Sequence, residues 1–191
     1  EKYIIKRLVG DLPSGLHYHG IHHTKDVCEA VERLAIWEGV QGEELYLLKT
    51  AALYHDAGFI HSYESNEPIG ANLAKEMLPT FGYTEEQINQ VIELIGATKI
   101  PQNPQNHLEE IMCDSDLDYL GRSDFYPIAE TLKMELMEFG KIEDNPKQWI
   151  EMNIGFLSSH SYFTKSAKQR REPEKQKRIE ELKKKLAEME S

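Results

Sequence analysis

Three short stretches of this 191-residue chain concentrate side chains that can ligate a metal or move a proton. The first, His17-Tyr18-His19-Gly20-Ile21-His22-His23-Thr24-Lys25-Asp26-Val27, holds four histidines within seven residues. The second, Leu53-Tyr54-His55-Asp56-Ala57-Gly58-Phe59, sets a histidine and an aspartate side by side at the end of an apolar run. The third, Cys113-Asp114-Ser115-Asp116-Leu117-Asp118-Tyr119-Leu120-Gly121-Arg122, alternates three aspartates with other residues at an apolar helix end. Imidazole and carboxylate together suit borderline divalent ions such as iron, manganese, nickel, cobalt or zinc, and suit magnesium less well. A His-Asp pair alone is more often a satisfied core histidine beside a turn-capping aspartate. Carboxylates, however, are seldom buried unless paired or bound to metal. Three such segments beside apolar faces can converge on one ion.

Helices must position these segments. Val27, Val31, Leu34 and Trp37 recur at spacings of three and four, which predicts a helix over His23–Trp37 with one buried face. Leu45, Leu48, Ala52 and His55 do the same, so a second helix ends with its histidine on or near the buried stripe. Ile69, Leu73 and Met77 mark a third helix closed at Pro79, and Thr84 with Gln87 reads as a capping box opening a fourth. A fifth runs from Leu108 to Asp116, a sixth from Phe125 to Phe139 and a seventh from Trp149 to Phe163. No stretch alternates with strand composition, so the predicted class is all-α: a compact bundle of roughly seven or more helices. Glu174–Met189 is a polar helix with a thin stripe of Ile179, Leu182, Leu186 and Met189, read as lying on the core or extending from it. A short coiled coil with a partner chain is the sharper alternative, and a homodimer is left open. The expected division is a domain over 1–170 and a charged helix over 171–191.

The order of these segments resembles the HD superfamily of metal-dependent phosphohydrolases, whose signature is a lone histidine, then His-Asp, then a distant aspartate. The resemblance runs from Tyr18 to Arg122 as motifs. It implies His23 rather than His22 as the first ligand, followed by His55 and Asp56. Asp-x-Asp-Leu-Asp implies Asp116 as the fourth ligand, with Asp114 in reserve. Members with two metals carry further histidines where this chain has Asn66 and Thr98, so the resemblance implies one divalent ion. It also implies hydrolysis of a phosphate ester or anhydride of a small molecule, a nucleotide in the first instance, by a metal-activated water. Asp56 would bridge metal and water. The glutamate that some single-metal relatives place shortly after His-Asp is missing here, which leaves the general base open. His19, His61, Glu64 and Glu67 are the nearest groups able to move a proton, with His19 and Glu67 preferred. Lys99 and Arg122 flank the motifs and would bind substrate phosphates. His17 and His22 are further candidate contacts.

Composition limits the alternatives. A formal charge of -11 argues against a general nucleic-acid binder, which needs clustered cations to neutralise phosphates. No window approaches the ~20 apolar residues of a spanning helix, and residues Glu1 to Val9 lack the apolar core of a secretory signal. Only two cysteines occur, Cys28 and Cys113, each in an apolar periodic stretch, which fits buried thiols in a reducing, cytoplasmic compartment. The competing reading is a non-catalytic module that binds metal and nucleotide for signalling.

Overall fold

The computed structural model describes residues 1–190, and among these it contains ten α-helices and no strand. The helices are α1 (Lys2–Asp11), α2 (Ile21–Glu38), α3 (Gly42–Tyr54), α4 (Asn66–Met77), α5 (Glu85–Ala97), α6 (His107–Asp116), α7 (Phe125–Glu138), α8 (Pro146–Ser159), α9 (Lys165–Arg170) and α10 (Glu172–Met189). Single 3-10 turns follow α3 at Ala57–Ile60, α4 at Leu78–Phe81 and α6 at Asp118–Gly121.

The apolar, Ala-rich stretch Leu-Tyr-Leu-Leu-Lys-Thr-Ala-Ala-Leu-Tyr makes α3 the central helix. Leu47, Leu48, Ala51 and Ala52 are all buried, and α1, α2, α4, α5 and α6 pack around it. α2 contributes Val27, Val31 and Leu34 to this core and stops at Gly39, whose left-handed backbone (φ 74°) ends the helix with N–H bonds back to the last turn. α5 opens as its sequence requires: Thr84 Oγ1 accepts from the Gln87 N–H, and Gln87 Oε1 accepts from the Thr84 N–H at 2.9 Å.

Two elements differ from the sequence expectation. The apolar stripe of the first residues, Ile4 and Leu8, forms α1 and seals the bundle. The seventh predicted helix ends at Ser159, four residues early, because His160–Thr164 is extended. There the buried Asp114 accepts the N–H groups of Phe163 and Thr164 at 2.9 and 2.8 Å and the Thr164 hydroxyl at 2.7 Å. Those backbone donors then have no helical role to play, and α9 starts afresh with Thr164 as its cap. The polar α10 lies against α8 and the Asp118–Gly121 turn, with Lys175, Arg178, Ile179 and Leu182 buried. Both cysteines are free thiols, and no described helix is long and apolar enough to cross a membrane.

Candidate metal centre

His23 lies in the first turn of α2 and is buried. His55 follows the last residue of α3, and Asp116 is the last residue of α6. Adjacent residues on a helix diverge by about 100°, so His55 and Asp56 can face one point only if the helix stops between them. It does: His55 keeps helical angles, while Asp56 moves to φ -101°, ψ 5°, the bridge region that active-site residues often occupy. The Asp56 side chain caps nothing in the turn that follows.

Three ligand-type atoms meet here, and a fourth, from Asp116, lies beside the two histidines. His23 Nε2 and His55 Nε2 are 3.4 Å apart. Asp56 Oδ2 lies 3.1 Å from the His55 nitrogen and 3.4 Å from that of His23. Asp116 Oδ1 lies 3.2 Å from His23 Nε2 and 3.5 Å from His55 Nε2. For metal bonds of about 2.1 Å, neighbouring ligand atoms stand about 3.0 Å apart in an octahedron and about 3.4 Å apart in a tetrahedron. The donor set of His23, His55 and Asp56 can therefore hold a metal ion.

Two further observations fit that use. His55 Nδ1–H donates to the Ala52 carbonyl at 2.8 Å, which fixes the ring and leaves Nε2 to face the cluster. Asp56 Oδ2 is buried without a hydrogen-bond donor, while its other oxygen accepts from Asn66 Nδ2 at 3.0 Å. Electrostatics agree. Burial pulls the His55 imidazolium down, but Asp56 and Asp116 more than reverse this and hold it well above the usual histidine range. Burial pushes both carboxyls up, yet the neighbouring histidines keep Asp56 and Asp116 below the ordinary value. The cluster thus has the negative field that a cation neutralises.

Two glycines let α4 come close enough to support this centre. A Cβ on Gly58 would sit 1.9 Å from the Asn66 carbonyl oxygen, and one on Gly70 would sit 2.6 Å from the Tyr54 carbonyl oxygen. Backbone cannot move aside as a side chain can. Gly58→Ala is therefore expected to displace Asn66 from Asp56 and to destabilise the fold by about 3 kcal/mol. Denaturant unfolding measures this, and an unchanged midpoint would show that the approach is not a constraint.

Asp56 and Asp116 also line a cavity of about 340 Å³. His19 and Glu67 line it too; Lys99 and Arg122 do not. Lys99 is exposed. The Arg122 guanidinium is engaged with Asp26 at 2.7 and 2.9 Å and with Asp124 at 2.9 and 2.5 Å, tying α2 to the segment before α7. That fork is a structural clamp, so phosphate binding by Arg122 is not what its geometry serves. His17, His22 and His61 are not among the cavity's lining residues, and Glu64 pairs with Lys141 at 2.9 Å on the surface. The three alternating aspartates have three separate jobs. Asp114 anchors residues 163 and 164, Asp116 faces the histidines, and Asp118 receives Arg33 at 3.0 Å and Arg171 at 2.6 Å.

Glu135, on α7, was not singled out from the sequence. Its carboxylate is fully buried and accepts the N–H groups of Tyr18 and His19 at 2.8 and 2.9 Å, the Tyr63 hydroxyl at 3.2 Å, and a short hydrogen bond from His19 Nδ1. His19 stacks on Phe59 with ring centroids 4.4 Å apart. Burial pulls the His19 imidazolium down, but the charge of Asp56 and the bond to Glu135 raise it overall; Glu135 is lowered in turn, burial notwithstanding. The signal was the acid's place at spacings of three and seven from Leu132 and Ile128, on the apolar stripe of its own helix.

No family model matches the chain, and no curated protein or solved structure matches it either.

Proposed function

We propose that this chain is a metal-dependent phosphohydrolase of the HD type that cleaves a small-molecule phosphate ester or anhydride. The observation that carries the reading is the buried group of His23, His55 and Asp56, with Asp116 against both histidines, at the wall of a ligand-sized cavity. Iron, manganese, nickel, cobalt and zinc suit these ligands. One such ion would act as a Lewis acid towards a phosphoryl oxygen and acidify a water.

The chain's own residues supply the rest. Asn66 holds Asp56 in orientation through its second oxygen. Glu135 fixes the His19 ring through Nδ1, so that Nε2 is the atom able to give or take a proton at the cavity. Glu67, half-buried in the first turn of α4, is the other proton-transfer candidate on the same wall. The Phe59 ring stacks on one face of His19 and the Tyr18 ring meets it in a T-shaped contact.

Phosphate release by the purified protein tests this. Release is expected to vanish on chelation and to return with manganese, iron, cobalt or nickel, and elemental analysis should find about one equivalent of metal per chain. Metal retention with tight ligand binding and no turnover on a broad phosphate panel would favour the non-catalytic module instead.

A further inference from the structure

The wall of the cavity is unusual for a site that is to hold a charged ester. Among the described residues that line it there is no lysine and no arginine. The acids Asp56, Asp116 and Glu67 come from the side built by the end of α3, the start of α4 and the end of α6. The other side is apolar: Leu132 and Leu136 from α7, Trp149, Met152 and Phe156 from α8, and Ile100 from the segment after α5. Polar groups on that side are few, and of these Asn153 Oδ1 and the Trp149 indole N–H carry no hydrogen bond among the described residues while the others are engaged. Asn153 Nδ2 donates to the Trp149 carbonyl at 2.7 Å, and Thr98 Oγ1 donates to the Ile95 carbonyl at 2.8 Å.

Resting on the hydrolase reading above, we infer that the cavity takes a phosphate monoester of an apolar alcohol or phenol, with the alkyl or aryl group seated between α7 and α8. The charge balance leads there. A divalent ion offsets Asp56 and Asp116 but not Glu67, and His19 is already paired with Glu135, so every phosphate group adds charge that only the metal can meet, and one is better tolerated than two or three. A di- or triphosphate would bring further charge against a wall with no cation, and unpaired charge in apolar surroundings is strongly disfavoured. A sugar or a nucleobase would present hydroxyl or amide groups to a wall with few free partners, which costs their desolvation. An alkyl or aryl group meets none of these costs and gains from burial. A cavity of about 340 Å³ suits such a small body. The reaction would be plain hydrolysis: the bond from phosphorus to the alcohol oxygen breaks, a bond from phosphorus to the water oxygen forms, and a proton passes to the leaving oxygen. The products are the apolar alcohol and inorganic phosphate.

The test uses the full chain loaded with manganese and two sets of probes. Binding of non-hydrolysable methyl-, propyl- and hexylphosphonate is followed by calorimetry and by tryptophan fluorescence, and turnover is compared for phenyl phosphate, glucose 6-phosphate and ATP. Affinity should rise about fourfold per added methylene, and a lysine at the apolar wall, as Leu136→Lys or Leu132→Lys, should flatten that rise. The fluorescence change should be lost in Trp149→Phe. Phenyl phosphate should exceed glucose 6-phosphate and ATP by about 100-fold in kcat/KM, as burial of a ring and exclusion of extra charge together require. Graded phosphonate binding with no turnover of any ester would uphold the ligand class and overturn the hydrolase reading. Turnover that favours ATP or the sugar phosphate, or phosphonate affinity that is flat or absent across the series, would overturn the inference, and in the first of these cases the hydrolase reading would stand.

Discussion

Asp56→Asn is expected to yield a folded protein that holds no metal and has lost at least about 1,000-fold in kcat/KM, some 4 kcal/mol of transition-state stabilisation. The substitution is nearly isosteric and keeps an oxygen to accept from Asn66 Nδ2, so the support from α4 survives. What it removes is the charge on Oδ2, the buried atom that no donor satisfies and that lies 3.1 and 3.4 Å from the two histidine nitrogens. A purely structural role for Asp56 predicts the opposite pattern, a less stable protein with its metal retained. A readout independent of turnover is thermal unfolding with and without manganese. At a metal concentration of about 100 times Kd the wild type gains about 2.7 kcal/mol, and the variant should gain nothing. Asn66→Ala provides the graded comparison: it removes only the bond that orients Asp56, and should weaken metal binding about 10- to 100-fold rather than abolish it. Equal metal content in Asp56→Asn and the wild type would sink the assignment.

Much of this cluster was legible because ionisable residues on apolar faces are conflicts, and such conflicts show in a sequence. His55 continues the stripe of Leu48 and Ala52, and Asp116 ends the stripe of Leu108, Ile111 and Met112, so the two candidate ligands stand out against their own helices. The capping box at Thr84 is equally local and appears as expected. What failed to show depends on contacts distant in sequence. The end of α8 at Ser159 is set by Asp114, some 45 residues earlier, which claims the N–H groups of residues 163 and 164. Arg122 beside the aspartates looks like a phosphate ligand until Asp26, from α2, is found to hold it. Lys99 is near the motif in sequence and off the cavity in space. Lys175 reads as one more charge on a polar helix, yet it is fully buried and donates to the His160 carbonyl, with Glu172 at 3.0 Å. Long charged side chains can bury their stems wherever a partner meets the head group, and sequence periodicity does not reveal the partner.

Glu135 gives the second large effect. Glu135→Ala is expected to destabilise the protein by about 3–5 kcal/mol, because the buried N–H groups of Tyr18 and His19 and the Tyr63 hydroxyl all lose their acceptor at once. Glu135→Gln keeps one acceptor oxygen but must turn an NH2 towards either the two backbone donors or the His19 and Tyr63 donors, so about 1–3 kcal/mol should be lost. The pair also sets a pH window. His19 is raised above the histidine reference of about 6.5, so its share of stability is full below that value and fades as pH rises through the raised pKa. Glu135 is lowered, so its share is full above the glutamate reference of about 4.3 and fades as pH falls through the lowered pKa. Metal-free wild type should therefore gain most over Glu135→Gln between about pH 4.3 and 6.5, a comparison that denaturant unfolding at several pH values makes directly. If the dyad only braces the Tyr18–His19 segment, the Gln variant, once folded and loaded with metal, should keep its kcat and pH profile. If Glu135 positions His19 for proton transfer, metal content stays near one equivalent while kcat falls about 10- to 100-fold and the limb of the profile that reports His19 moves to lower pH. His19→Gln should then lose a similar factor, and the double variant little more than either alone, because residues that act as one unit do not add.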